Sequence, residues 1–205
     1  GKVIKISYTR LMDKIIKHQF YHWGPFLYKT KIISEEVEQI KSLCEKNKNK
    51  DYRKNLAGLI EHEYEIDGEK LLLITRKYFE SYCKAYYEYS GKKTYKQLEL
   101  KSAWVNYMTK FESNPIHGHS DDLSFVLFTK IPKDLKKEYD DTVSVSKPGC
   151  INFILSLNTD KSFINEYTFF PEIGDFFIFP SGLSHFVNSF KCEGERISVS
   201  GNIKN

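Results

Sequence analysis

The sequence has little of several things, and each shortage closes off a class of protein. Its four cysteines, Cys44, Cys83, Cys150 and Cys192, lie far apart with no Cys-x-x-Cys pair. That spacing argues against a thiolate zinc site and fits unpaired thiols in a reducing compartment. No stretch approaches the ~20 apolar residues that cross a bilayer, and the first residues mix charge with apolar side chains, unlike a signal peptide. Charge of one sign is also missing. Lys plus Arg exceed Asp plus Glu by 31 − 27 = 4, spread over 205 residues. Nucleic-acid binders gather basic charge on a face or a tail, so neither a nucleic acid nor a membrane is indicated as partner. There is no internal repeat and no linker-like segment. The expectation is one domain in the cytoplasm, long enough to bury a real core.

What the chain does have is aromatic residues, 14 Tyr and 15 Phe among them, as suits a sheet-rich core. Residues 1–33 carry scattered rings (Phe20, Tyr21, Trp23, Phe26, Tyr28) that should wrap onto a larger body. Ser34 reads as an N-cap, followed by Val37, Ile40, Leu43 and Cys44 at helical spacing and a solvated end at 45–50. A second helix is predicted from about Glu69 to Tyr89, with Leu71, Ile74, Tyr78, Tyr82, Ala85 and Tyr89 on one stripe and Gly91 as its stop. His62, in Glu61-His62-Glu63, lies in an alternating polar stretch that reads as solvent-facing.

From residue 100 the period changes. Runs at 103–108, 123–131, 150–157, 167–170, 175–179, 185–190 and 196–200 are short, rich in Val, Ile, Phe and Tyr, and mostly separated by Gly, Pro, Asn or Asp. Seven or more such strands read as a jelly roll, with 133–141 as a surface insertion of about one helical turn. The fold class is therefore mainly β with some α: a helical N-terminal elaboration over 1–99 buttressing a β core over 100–205.

Three of the six histidines fall in this β half, in two informative stretches. One is Asn114-Pro115-Ile116-His117-Gly118-His119-Ser120-Asp121-Asp122; the other runs from Gly174-Asp175 through Phe179-Pro180 to His185. A non-haem ferrous site takes two imidazoles and usually one carboxylate on one face of the ion, leaving the opposite positions open. Residues two apart on an extended strand point the same way. His117 with His119, or His119 with Asp121, could therefore supply the first two ligands, and His119 belongs to both pairs. His185 is the third candidate: 175–179 reads as a buried strand and Pro180-Ser181-Gly182 as the turn that presents it. Arg196, followed by Ser198 on the next β run, can clamp a carboxylate bidentately, with the hydroxyl adding one more bond.

With these residues in view, the stretch 104–202 resembles the 2-oxoglutarate- and Fe(II)-dependent oxygenases. More narrowly it is similar to prolyl-hydroxylase-like members found as small proteins in bacteria and marine bacteriophages. The matching features are Trp104-Val105-Asn106-Tyr107, His117-Gly118-His119, Leu123-Ser124, Gly174-Asp175, Phe179-Pro180, His185 and Arg196-Ile197-Ser198 before Asn202, with a weaker echo in Leu56-Ala57-Gly58 and Glu63-Tyr64. The resemblance implies a double-stranded β-helix (jelly roll) and hydroxylation coupled to the oxidative decarboxylation of 2-oxoglutarate. It implies metal ligands His119, Asp121 and His185, with His117 as the alternative to Asp121. It also implies co-substrate contacts from Arg196 and Ser198, together with Asn106 and Tyr107. A peptidyl side chain, prolyl or other, is the first substrate expectation. The second stretch also resembles a cupin motif, but the glutamate that should follow the histidine pair is absent: Leu123 and Ser124 stand there. A non-catalytic jelly-roll binding module is the remaining alternative.

Overall fold

Strand alternation gives one sheet two different faces, and the chain uses both. The structure is a computed structural model that describes residues 24–91, 98–155 and 164–204. Ten strands are named in chain order among these residues: β1 (Tyr28–Lys31), β2 (Glu63–Glu65), β3 (Glu99–Met108), β4 (Asn114–His117), β5 (Leu123–Lys130), β6 (Ile151–Ile154), β7 (Glu166–Phe169), β8 (Asp175–Pro180), β9 (Ser184–Val187) and β10 (Arg196–Lys204). They form two antiparallel sheets, ordered β1-β8-β5-β10-β3-β2 and β4-β9-β6-β7. Three α-helices accompany them among the described residues: α1 (Ser34–Lys46), α2 (Gly68–Ser90) and α3 (Leu135–Asp141).

The larger sheet buries one parity of side chains under the helices. Val105, Tyr107, Phe125, Leu127, Phe176, Ile178, Ile197 and Val199 pack there with Val37, Ile40, Leu71 and Phe79. The other parity packs towards the second sheet: Met108, Val126, Phe128, Phe177 and Phe179 meet Ile151, Phe153 and Val187. Burying each such large side chain contributes about 1.5–3 kcal/mol. Two hydrophobic cores thus share one sheet.

The helices fall close to where the sequence puts them. Asp67 caps α2 by accepting from the Lys70 N–H at 3.1 Å, and Gly91 ends it at φ 65°. The cap of α1 differs: Ile33 takes the N-cap position without a side-chain bond, and Ser34 is already helical. Glu35 and Glu36 in the first turn complement the helix dipole instead. Phe26 and Tyr28 do wrap onto α2, with Phe26 stacked on Tyr89 at 4.9 Å and Tyr28 edge-on to Tyr82 at 5.7 Å. Phe20, Tyr21 and Trp23 lie outside the described residues.

The N-terminal part is more than a helical buttress, because β1 flanks β8 and β2 flanks β3. Gly174 at φ +85° makes the turn into β8, where a Cβ would stand 2.8 Å from the Ile32 carbonyl oxygen. Buried Asp175 then holds β1 through Lys29 at 3.1 Å and Lys31 at 3.5 Å.

Candidate metal centre

The register of the smaller sheet builds the site. In the β4–β9 pair His117 stands directly opposite His185, and their ring centroids are 4.2 Å apart. Beyond His117 the strand ends, so His119 is set by the loop that follows. Its backbone N–H donates to the Ser181 carbonyl at 2.8 Å, tying it to the turn before His185. The His119 ring lies 5.0 Å from that of His117 and 5.3 Å from that of His185. One potential ligand atom from each of the three histidines can be chosen so that all lie within 4.8 Å of one another.

Asp121, the carboxylate expected as third ligand, is not in that group. The i, i+2 rule that put it beside His119 requires extended backbone, and β4 stops at His117. His117, the alternative, is the residue that register brings to His185.

Burial keeps His119 and His185 neutral. Desolvation, reinforced by the neighbouring His117, pushes His119 down to about 4 and His185 down to about 3. Neutral imidazoles carry the lone pair a metal needs. The Nδ1 of His117 lies 2.7 Å from the Pro115 carbonyl and that of His185 lies 2.9 Å from the Leu183 carbonyl. A carbonyl can only accept, so each Nδ1 is the N–H donor and each Nε2 is left to bind. This donor set fits a divalent first-row metal such as Fe(II).

Alternation places the remaining residues. Trp104, Asn106 and Met108 of β3, Ser124 of β5, and Arg196 and Ser198 of β10 face the same cavity as the histidines. Ser198 stands opposite Asn106, whose Nδ2 donates to its Oγ at 3.4 Å. Tyr107, expected at the co-substrate with Asn106, has the opposite parity. It is buried in the helix-side core, where its hydroxyl donates to Glu45 at 3.3 Å. Side chains of successive strand residues point to opposite faces of the sheet.

Arg196 is 2% exposed, and burial pulls its guanidinium down to about 9. Its Nε donates to the Gly149 carbonyl at 3.0 Å, and its Cζ lies 4.6 Å from the centre of the Phe128 ring. Its Nη2 has no partner among the described residues. The acidic neighbours in sequence are engaged elsewhere, Glu193 with Lys110 and Glu195 with Lys130. A buried cation that lines a cavity with an unpartnered N–H group is a receptor for an anion.

Comparison with known proteins agrees with this geometry. Residues 102–202 match the family described as "Putative 2OG-Fe(II) oxygenase". The barrel has the fold of the 2OG-Fe(II) oxygenases. No curated protein matches the sequence. Among solved structures, a 2OG-Fe(II) oxygenase family oxidoreductase from Burkholderia pseudomallei is similar at 12% identity, covering 88% of this chain and 84% of its own, with a TM-score of 0.55. A Pseudomonas putida prolyl-4-hydroxylase is similar at 15% identity, covering 87% and 92%, with a TM-score of 0.53. HygX from Streptomyces hygroscopicus, solved with nickel, 2-oxoglutarate and hygromycin B, is similar at 14% identity, covering 88% and 82%, with a TM-score of 0.57. At such identities these likenesses speak for the oxygenase fold.

One buried residue beside these histidines had no site role in the sequence reading. Glu63 is 1% exposed and lines a cavity beside His117 and His119, whereas His62 next to it is exposed. The alternating polar stretch reads as solvent-facing at His62, and polar residues on both parities give no sign that Glu63 is buried. Pairing of β2 with β3, a contact 43 residues away at Asn106, buries it. The burial of Glu63 is a property of that pairing, and local pattern carries no trace of it.

Proposed function

We propose that this chain is a hydroxylase that holds Fe(II) through His117, His119 and His185 and binds 2-oxoglutarate against Arg196, acting on a peptidyl side chain, prolyl or other. The orphan Nη2 of buried Arg196, in the cavity that the three histidines line, carries this reading. When bound, Fe(II), 2-oxoglutarate and oxygen supply oxidising power for C–H hydroxylation, releasing succinate and carbon dioxide.

The protein's own work is positioning. His117 and His185 are fixed by their carbonyl partners, and His119 by its backbone bond to Ser181. Arg196 offers a charged donor to the distal carboxylate of 2-oxoglutarate, with Ser198 and Asn106 beside it on the same face. The apolar wall of Phe179, Ile151 and Val187 keeps water from the anion and strengthens the charged contact. No proton-transferring side chain is needed, and none is assigned. A peptidyl substrate is supported by likeness to a prolyl-4-hydroxylase.

The reading is tested by loading the protein with Fe(II) and measuring turnover of 2-oxoglutarate to succinate. Succinate formation that depends on Fe(II) is the expected result. A protein that binds metal but neither binds nor turns over 2-oxoglutarate would leave the cupin alternative standing.

A further inference from the structure

Glu63 lies buried beside His117 and His119 with its carboxylate unanswered. Neither carboxylate oxygen has a hydrogen-bond partner among the described residues, although the residue is 1% exposed. Buried polar groups are ordinarily satisfied, so an orphan acid points to a ligand. Its direction follows from register. Glu63 stands opposite Asn106, which stands opposite Ser198, and cross-strand neighbours share a face. That face is the interior of the barrel.

From behind, the backbone at Gly58 closes on the carboxylate: a Cβ there would stand 2.5 Å from Glu63 Oε1. In front lies a cavity of about 130 Å³ that Glu63 shares with Trp104, Asn114, His117 and His119. This is roughly ten times the ~10–15 Å³ that one water requires. Two more buried oxygens have no partner among the described residues: Asn114 Oδ1, in the same cavity, and Asn106 Oδ1, on the residue that β3 sets opposite Glu63. All four of these orphan atoms are acceptors. The nearby protein cation is already engaged, since Arg53 donates to Asp51 at 2.6 Å and 3.0 Å. Burial, with Glu112 near, pushes the Glu63 carboxyl up to about 7.

We infer that Glu63 receives a cationic, donor-rich group of the substrate, a primary ammonium or a guanidinium, and so holds an adjacent C–H bond towards the three histidines. An ammonium brings three N–H donors and a guanidinium five, matching the four unpaired acceptors. A neutral aliphatic side chain would leave all four oxygens unpaired. The inference rests on the oxygenase reading, whose cavity it shares, and adds the substrate's chemical class.

Calorimetric titration of the 205-residue chain with three capped tripeptides, Ala-Lys-Ala, Ala-Arg-Ala and Ala-norleucine-Ala, tests it, with and without Mn(II) and 2-oxoglutarate. At least one cationic peptide should bind about tenfold or more tighter than the norleucine peptide, as a charged hydrogen bond implies. Glu63→Gln should abolish that preference. Gly58→Ala, which keeps the charge but displaces the carboxylate, should weaken it. Equal binding of the three peptides, absence of binding, or a preference that survives Glu63→Gln overturns the assignment. A protein that binds neither Mn(II) nor 2-oxoglutarate overturns the oxygenase reading instead, while the metal-free titrations still decide Glu63.

Discussion

At the scale of the residue, the site depends on which atoms are left bare. Arg196 commits Nε to Gly149 and leaves Nη2 unpartnered among the described residues. Lysine would keep the charge but lose the planar fork. Arg196→Lys should therefore raise the dissociation constant for 2-oxoglutarate about tenfold or more while Mn(II) binding stays intact, as read by calorimetry. For the metal, His117 and Asp121 make opposite claims. His117→Ala should weaken Fe(II) or Mn(II) binding by at least about tenfold, the low end of what even outer-shell changes cost, and Asp121→Ala should change it little. Metal loss confined to Asp121→Ala would return the third ligand to the carboxylate.

At the scale of the element, the sequence reads well where a segment's own pattern decides its state. The stripe from Leu71 to Tyr89 predicts α2 to within a residue at each end, and the runs at 123–131 and 175–179 become β5 and β8. β2 and β4 had no such signal: a polar triplet and a Pro-containing quartet become strands because β3 and β9 offer them edges. β10 is the element with least slack, lying between β5 and β3. At Gly201 an added Cβ would run into the Ser102 carbonyl oxygen and stand 2.6 Å from the Phe125 ring. Gly201→Ala should cost about 1–3 kcal/mol, the usual range for overpacking, seen as a lower urea midpoint at unchanged slope.

At the scale of the whole molecule, the buried site groups couple folding to pH in opposite directions. His119 and His185 titrate near 4 and 3 in the fold, below the ~6.5 of an unfolded chain. Their share of stability is present above about pH 6.5 and is lost as pH falls. Glu63 titrates near 7 in the fold, above its ordinary value of 4.5. Its contribution is present below about pH 4.5 and is lost as pH rises through 7. Below about pH 6 the two histidines outweigh Glu63, so the metal-free protein should gain stability from pH 4.5 to 6; between pH 6 and 8 the opposing contributions nearly cancel, as urea unfolding at pH 4.5, 6 and 8 would show. Glu63→Gln should remove the opposing contribution, so that stability rises between pH 6 and 8 while the acid limb stays. A variant that shows no such rise would place the charge cost elsewhere.

The sequence by itself determined the class of fold, the two helices and the pieces from which the site is made. His119, His185, Arg196 and Ser198 stand out because their neighbours are short apolar runs with turns at fixed places. Tertiary structure alone decided which of those pieces meet. The third histidine is His117 because β4 pairs with β9 in the register that sets it against His185. Tyr107 leaves the cavity and Asn106 enters it because β3 has helices on one face and the second sheet on the other. Glu63 is buried because an edge strand from the N-terminal part closes the larger sheet. Each of these is a choice of partner made across the chain, and a local pattern records only what a segment can pair with.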